Sequence, residues 1–146
     1  MKQTFFLCGC VATLCLCLSC RTQQRSTVAS FLDKTLLPVE LNGTSVAATD
    51  TDDMPTLIFH TKEMRISGYS GCNNFFGNYE LNGNLVTFSK IGATKRACIG
   101  AGDTLEREMF EALHHTTTLK IDGDTLQLLN KEQIVGKFIV APAETK

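Results

Sequence analysis

The sequence predicts a mainly β domain with one helix, an α+β class in which strands dominate. Short apolar runs recur from Leu36 onward, and turn chemistry separates them. Asn42-Gly43, Asn82-Gly83 and Asp122-Gly123 supply tight-turn dipeptides, and both residue types in each tolerate positive φ at low cost. Only residues 103–115 carry a helical rather than an alternating period.

The elements follow in order. Leu57-Ile58-Phe59 forms a short run after Pro55, and Met64 and Ile66 alternate with Arg65 and Ser67. Tyr79-Glu80-Leu81 and Leu85-Val86-Thr87-Phe88 flank Asn82-Gly83. Leu119-Lys120-Ile121 and Leu126-Gln127-Leu128 flank Asp122-Gly123, and residues 134–140 close the domain. Alternation on both sides of the turns predicts hairpins. The three turns stand 40 residues apart, but the material between them differs, so they read as three hairpin-like units in one fold. In the helical segment Leu105, Met109, Ala112 and Leu113 share one face, positioned to cover one opening or one face of the sheet. Asp103 is the expected cap, with Glu106 completing a capping box and His114 and His115 suiting the far end of the dipole.

The amino terminus has another character. Residues 5–18 are an almost unbroken apolar run behind Lys2. The run is too short for a bilayer core of about 30 Å, which needs roughly 20 helical residues, and suits a signal peptide. It ends at Leu18-Ser19-Cys20 before polar Arg21-Thr22-Gln23-Gln24-Arg25, a lipobox-like arrangement in which Cys20 is acylated after cleavage. Residues 1–19 then form the signal, 20–30 a tether and 31–146 the folded domain. Loss of Lys2 leaves 13 basic residues of the 14, against 15 acidic, so the mature formal charge is −2. Such a balance, with no basic run, argues against nucleic acid as a partner. Without a polybasic patch, attachment to the membrane rests on the lipid. The residues after Cys20 include no acidic tag, which predicts an outer-membrane lipoprotein facing the periplasm.

Of seven cysteines, Cys8, Cys10, Cys15 and Cys17 lie in the signal and Cys20 is the acylation site. Cys72 and Cys98 remain, and two thiols in an exported chain are candidates for a disulfide closing a 27-residue loop; buried free thiols are the alternative. Metal chemistry is disfavoured. Cys72, Cys98, His114 and His115 follow no ligand spacing, adjacent helical histidines point about 100° apart, and His60 stands alone. Ser70 is outside any G-x-S-x-G elbow, and Asp50, Asp52 and Asp53 read as a solvated turn. No catalytic residue, metal or cofactor is therefore assigned. Lys95 and Arg96 form a small basic patch that could contact an anionic group.

Gly68-Tyr69-Ser70-Gly71-Cys72-Asn73, followed by Gly77-Asn78-Tyr79, resembles the signature of META-domain proteins, the group of HslJ-like heat-shock lipoproteins. Leu85 to Phe88, Thr94 to Cys98, the helix with Glu108, Phe110 and Leu113, and Gly123 to Leu128 agree with that family's order. The resemblance covers roughly residues 36–141. Leu36 and Pro38 stand where the family has a Trp-x-Leu strand, and Pro38, lacking an N–H, predicts an edge position. The resemblance implies a small antiparallel barrel-like sheet with one packed helix, and it transfers Gly71, Cys72, Asn73, Gly77, Thr94 and Cys98 as structural motif residues. It carries no catalytic chemistry. The expected function is a noncatalytic envelope lipoprotein, an envelope-stress or stability and binding module whose partner is an envelope protein or ligand. The alternatives are a small-barrel carrier of a hydrophobic compound and a thiol-redox protein using Cys72 and Cys98.

Overall fold

The computed structural model describes residues 27–47, 54–97 and 99–142. A 3-10 turn at Val28–Ser30 leads into β1 (Leu36–Leu41), β2 (Thr44–Ser45), β3 (Thr56–His60), β4 (Arg65–Tyr69), β5 (Asn74–Asn82) and β6 (Leu85–Ala93). Helix α1 (Ala101–His115) then precedes β7 (Thr118–Asp122), β8 (Thr125–Asn130) and β9 (Gln133–Val140). The strands form one antiparallel sheet in the order β2-β1-β3-β4-β5-β6-β7-β8-β9, and a β1–β9 pairing closes it into a ring. The mainly β class with one helix is thus observed.

The ring has two dense arcs and two thin seams. One arc, β3 to β6, is a continuous meander. The other joins β7, β8, β9 and β1. The seams rest on single register pairs, Leu36↔Leu57 between β1 and β3, and Leu85↔Thr118 between β6 and β7. Bonds beside them assist: Asp33 N–H donates to the Phe59 carbonyl at 2.9 Å, and Val86 N–H to the Thr117 carbonyl at 3.0 Å.

All three turn dipeptides make hairpins, in two geometries. Asn42 and Gly43 are both central residues, at φ 46° and 83°, between paired Leu41 and Thr44, the double-positive requirement of a type I′ turn. At the other two the register moves on by one, so Gly83 (φ 64°) and Gly123 (φ 59°) open the turn. Glycine at the first central position is the type II′ preference. Asn82 and Asp122 are instead the last residues of β5 and β7.

Pro38 is not at a sheet edge, since β1 has neighbours on both sides. It pairs with Phe138 of β9 on one side, a register shift follows it before Glu40, and the β2 and β3 pairings fall at Leu36, Glu40 and Leu41. The missing N–H is tolerated because neither of those pairings needs it. Met64 likewise is no strand residue. Its φ is 53° and it sits in the turn before β4, 43% exposed.

The core lies inside the ring. Phe59 meets Tyr79 edge-on at 5.2 Å between centroids and Phe88 at 5.8 Å. Such aromatic pairs contribute about 0.5–1.5 kcal/mol beyond area burial. The α1 face buries Met109, Ala112 and Leu113, with Leu105 half-buried at its edge, while Phe110 meets Phe75 of β5 edge-on at 5.8 Å. Burying each large apolar side chain contributes roughly 1.5–3 kcal/mol.

The expected cap is corrected. α1 begins two residues before Asp103, Gly100 occupies the N-cap at φ 72°, and no side chain caps it. Asp103 lies inside the first turn, where its charge complements the dipole. Glu106 faces the β4–β5 loop instead, where its Oε2 lies 2.5 Å from Ser70 Oγ and 3.2 Å from Asn73 N.

Candidate functional site

Gly71, Cys72, Asn73 and Thr94 meet at one end of the ring, where the β4–β5 loop, the β6–α1 loop and the first turns of α1 converge, whereas Gly77 lies within β5. Asn73 is the centre, buried at 3% exposure. Its side-chain oxygen accepts from Thr94 Oγ1 and from Arg96 N–H, each at 2.8 Å. Its amide nitrogen donates to the Arg96 carbonyl and to Glu106 Oε1, each at 3.2 Å. One side chain thus ties three separate segments. A buried amide with partners on both its oxygen and its nitrogen avoids the cost of an unmet polar group.

Ser70 completes the knot. It is fully buried, and its hydroxyl lies 2.9 Å from the Asn73 carbonyl and 2.5 Å from Glu106 Oε2. Asn73 N–H is 3.2 Å from both Ser70 Oγ and Glu106 Oε2. Backbone closure adds Ser70 N–H to the Asn73 carbonyl at 2.9 Å and Thr94 N–H to the Asn74 carbonyl at 2.9 Å. A hydroxyl held this way is buried and committed to hydrogen bonds within the fold.

The glycines let these segments approach. A Cβ on Gly71, at φ 99°, would lie 2.9 Å from Leu105 Cβ, and one on Gly102 would lie 2.7 Å from the Gly71 carbonyl oxygen. Helix and loop therefore touch backbone to backbone. Gly77 sits where the β5–β6 register shifts, and Lys90 in the facing strand adopts φ 51°, the signature of a bulge.

Cys72 is buried, with its sulfur 3.5 Å from Asn73 Nδ2 and 3.9 Å from the Arg96 carbonyl oxygen. Cys98 lies outside the described residues, as do Cys20, the signal segment and the acidic Asp50, Asp52 and Asp53. Beside the knot lies an open cleft of about 240 Å³ lined by Tyr69, Gly71, Cys72, Arg96, Ala97, Ile99 and Gly102. Ile99 at its rim is 92% exposed, and Lys95 and Arg96 are exposed nearby.

The histidines do not join this end. His60 Nε2 is 2.7 Å from Ser67 Oγ on the β3–β4 ladder, His115 Nδ1 is 2.9 Å from the Glu111 carbonyl oxygen, and His114 is exposed. Among the described residues no group of three or more His, Cys, Asp or Glu side chains is placed to hold a metal ion. Among the described residues two perturbed groups lie away from this end. Hydrogen bonds from the Thr61 hydroxyl and N–H hold the Asp33 carboxyl below its ordinary value. Burial, then the Asp33 charge, pushes the Tyr79 phenol up.

Sequence reasoning found Gly71, Cys72, Asn73 and Thr94 but missed Ser70 and Glu106 as their partners, and Gly102 as a contact point. The available signal was chemical: a buried Asn needs acceptors, and Glu106 stands one turn into the helix, after Asp103.

Solved structures resemble this ring. A protein from Burkholderia xenovorans determined by NMR is 25% identical, with a TM-score of 0.60 over 77% of this chain and 85% of that one. A second NMR structure, 21% identical, aligns at a TM-score of 0.62 over 82% of this chain and 99% of the other, and shows the fold alone. No curated protein matches the chain. The META domain family matches residues 29–142, from the turn before β1 to just past β9. With that span and the Gly71-Cys72-Asn73 knot at its centre, the chain belongs to the META domain family.

Proposed function

We propose that the protein is a noncatalytic lipoprotein of the cell envelope, anchored through Cys20, whose META domain serves as a binding and stability module on the periplasmic side. The observation that carries this reading is the state of the motif's polar groups. Asn73, Ser70, Thr94 and Glu106 satisfy one another across three segments. A general base or nucleophile needs a reactive atom within reach of substrate, and these atoms are spent on holding the loops together. Interior packing by Phe59, Tyr79 and Phe138 supports this role over a hydrophobic carrier. Cys72 pairs with Cys98 in this reading as a staple under the same loops. The burial of Cys72, with its sulfur 3.9 Å from the Arg96 carbonyl oxygen two residues before Cys98, supports the pairing.

Intact-mass measurement of membrane-extracted protein tests the anchor. The expected species begins at Cys20, carries acyl chains and lacks two thiol protons. A species beginning at Met1, or one without acyl chains, overturns the reading. Crosslinking in whole envelopes tests the module, with one recurrent partner crosslinked through Ile99 or Arg96 as the expected product.

A further inference from the structure

The strand registers sort the ring into two ends. Asn42 Nδ2 donates to the Glu108 carbonyl at 3.0 Å, and Gly71 lies against Leu105. The first hairpin turn, the motif loop and α1 thus share one end. The opposite end holds both limits of the described fold. Leu36 pairs with Val140, Ala141 N–H donates to the Thr35 carbonyl at 2.8 Å, and a depression there is lined by Ser30, Phe31, Asp124, Ile139 and Val140. The turn at residues 61–64 lies there too, because Thr61 N–H donates to Asp33 Oδ1 at 3.0 Å.

Cys20 and Thr27 are seven residues apart. Fully extended, that stretch reaches at most about 25 Å, and as a flexible coil it averages about 15 Å. The domain is taller. β5 has nine residues, and a strand of that length in a closed, tilted sheet rises about 20 Å. The helix layer over the motif end adds roughly 10 Å.

We infer that the end bearing Val28–Ser30, the turn at residues 61–64 and the turn at Gly123-Asp124 faces the lipid headgroups, and that the motif end is held away from its own membrane. This rests on the proposed acylation of Cys20. An inverted domain would place Thr27 about 30 Å above the bilayer, beyond the reach of its tether. The Tyr69–Ile99 cleft therefore meets partners from the aqueous compartment, and a headgroup of the anchoring membrane is excluded as the group that Lys95 and Arg96 contact.

The test uses the full acylated protein in phosphatidylethanolamine/phosphatidylglycerol vesicles. Donor dyes are placed at Lys62→Cys or Asp124→Cys, and in separate preparations at Thr44→Cys or Glu132→Cys. Energy transfer to headgroup-labelled acceptor lipid is expected to be several-fold stronger from positions 62 and 124. Inserting a 20-residue Gly/Ser stretch after Arg25 should erase most of the difference. Equal or reversed transfer from a protein confirmed as acylated overturns the orientation and leaves the lipoprotein reading standing. A difference that survives the long insert overturns the tether as its cause. Protein recovered without acyl chains overturns both.

Discussion

Asn73 and Glu106, 33 residues apart in the chain, meet twice: backbone N–H to Oε2 and side-chain amide to Oε1, each at 3.2 Å. This double contact fastens the first turns of α1 to the loop between β4 and β5. Asn73→Ala removes one half of the contact and also the side-chain oxygen that accepts from Thr94 Oγ1 and Arg96 N–H. Each buried polar group left unmet costs about 1–3 kcal/mol. The expected loss is about 3 kcal/mol, read as a fall in Tm of roughly 10–20 °C. A Tm within 2–3 °C of the parent, well under 1 kcal/mol on that scale, would show that the knot contributes little.

Glu106→Gln keeps one acceptor but presents an NH₂ to either the Ser70 hydroxyl and Asn73 N–H or the Asn73 amide. It should cost about 1–2 kcal/mol, and Glu106→Ala more. Chemical denaturation of both variants checks the order, and equal losses would assign the effect to charge alone.

Gly102→Ala should destabilise although alanine is the better helix former by about 1 kcal/mol. The new Cβ would stand 2.7 Å from the Gly71 carbonyl oxygen. Gly68→Ala should be worse, because its Cβ would fall 2.0 Å from the Thr56 carbonyl oxygen inside the β3–β4 ladder. Gly43→Ala, with no atom within 4 Å of the added Cβ but φ at 83°, isolates the backbone cost alone. Equilibrium unfolding should rank the losses Gly68 first, and a stabilised Gly102→Ala would refute the close approach.

Asp33 carries the pH prediction. Its folded-state value is lowered by the Thr61 bonds, so its contribution is present above its ordinary 3.8 and disappears as pH falls through the lower folded value. Thr61→Val should return the Asp33 carboxyl toward 3.8 and flatten the stability profile below about pH 4. Carboxyl chemical shifts followed by NMR titration check it; an unmoved midpoint would assign the shift to another cause.

Cys72→Ala should cost about 3 kcal/mol if a 27-residue loop is closed in the folded state. Melting with and without reductant separates the contributions. The parent should lose stability under reductant and the variant should not change.

Much of this was written in the chain's local chemistry. Asn42-Gly43, Asn82-Gly83 and Asp122-Gly123 announced hairpins because turn preference is set by φ at one or two residues. Met109, Ala112 and Leu113 announced a buried helix face because 3.6-residue spacing acts within the segment itself. What local chemistry left open is equally specific. Glu106 reads as a capping residue in isolation, since nothing within α1 reports that Ser70 and Asn73 will bring three donors to it. Whether Asn82 or Gly83 opens its turn depends on ladder register, and register is settled by packing of whole strands. Pro38 reads as an edge residue until β9 is seen to pair on one side of it, with the β2 and β3 pairings falling at Leu36, Glu40 and Leu41 on the other. Spacing along the chain acts over a few residues and determines strands, turns and the helix. Partners separated by 33 positions meet only when the ring closes, so the tertiary structure alone decided what the motif's buried polar groups are for.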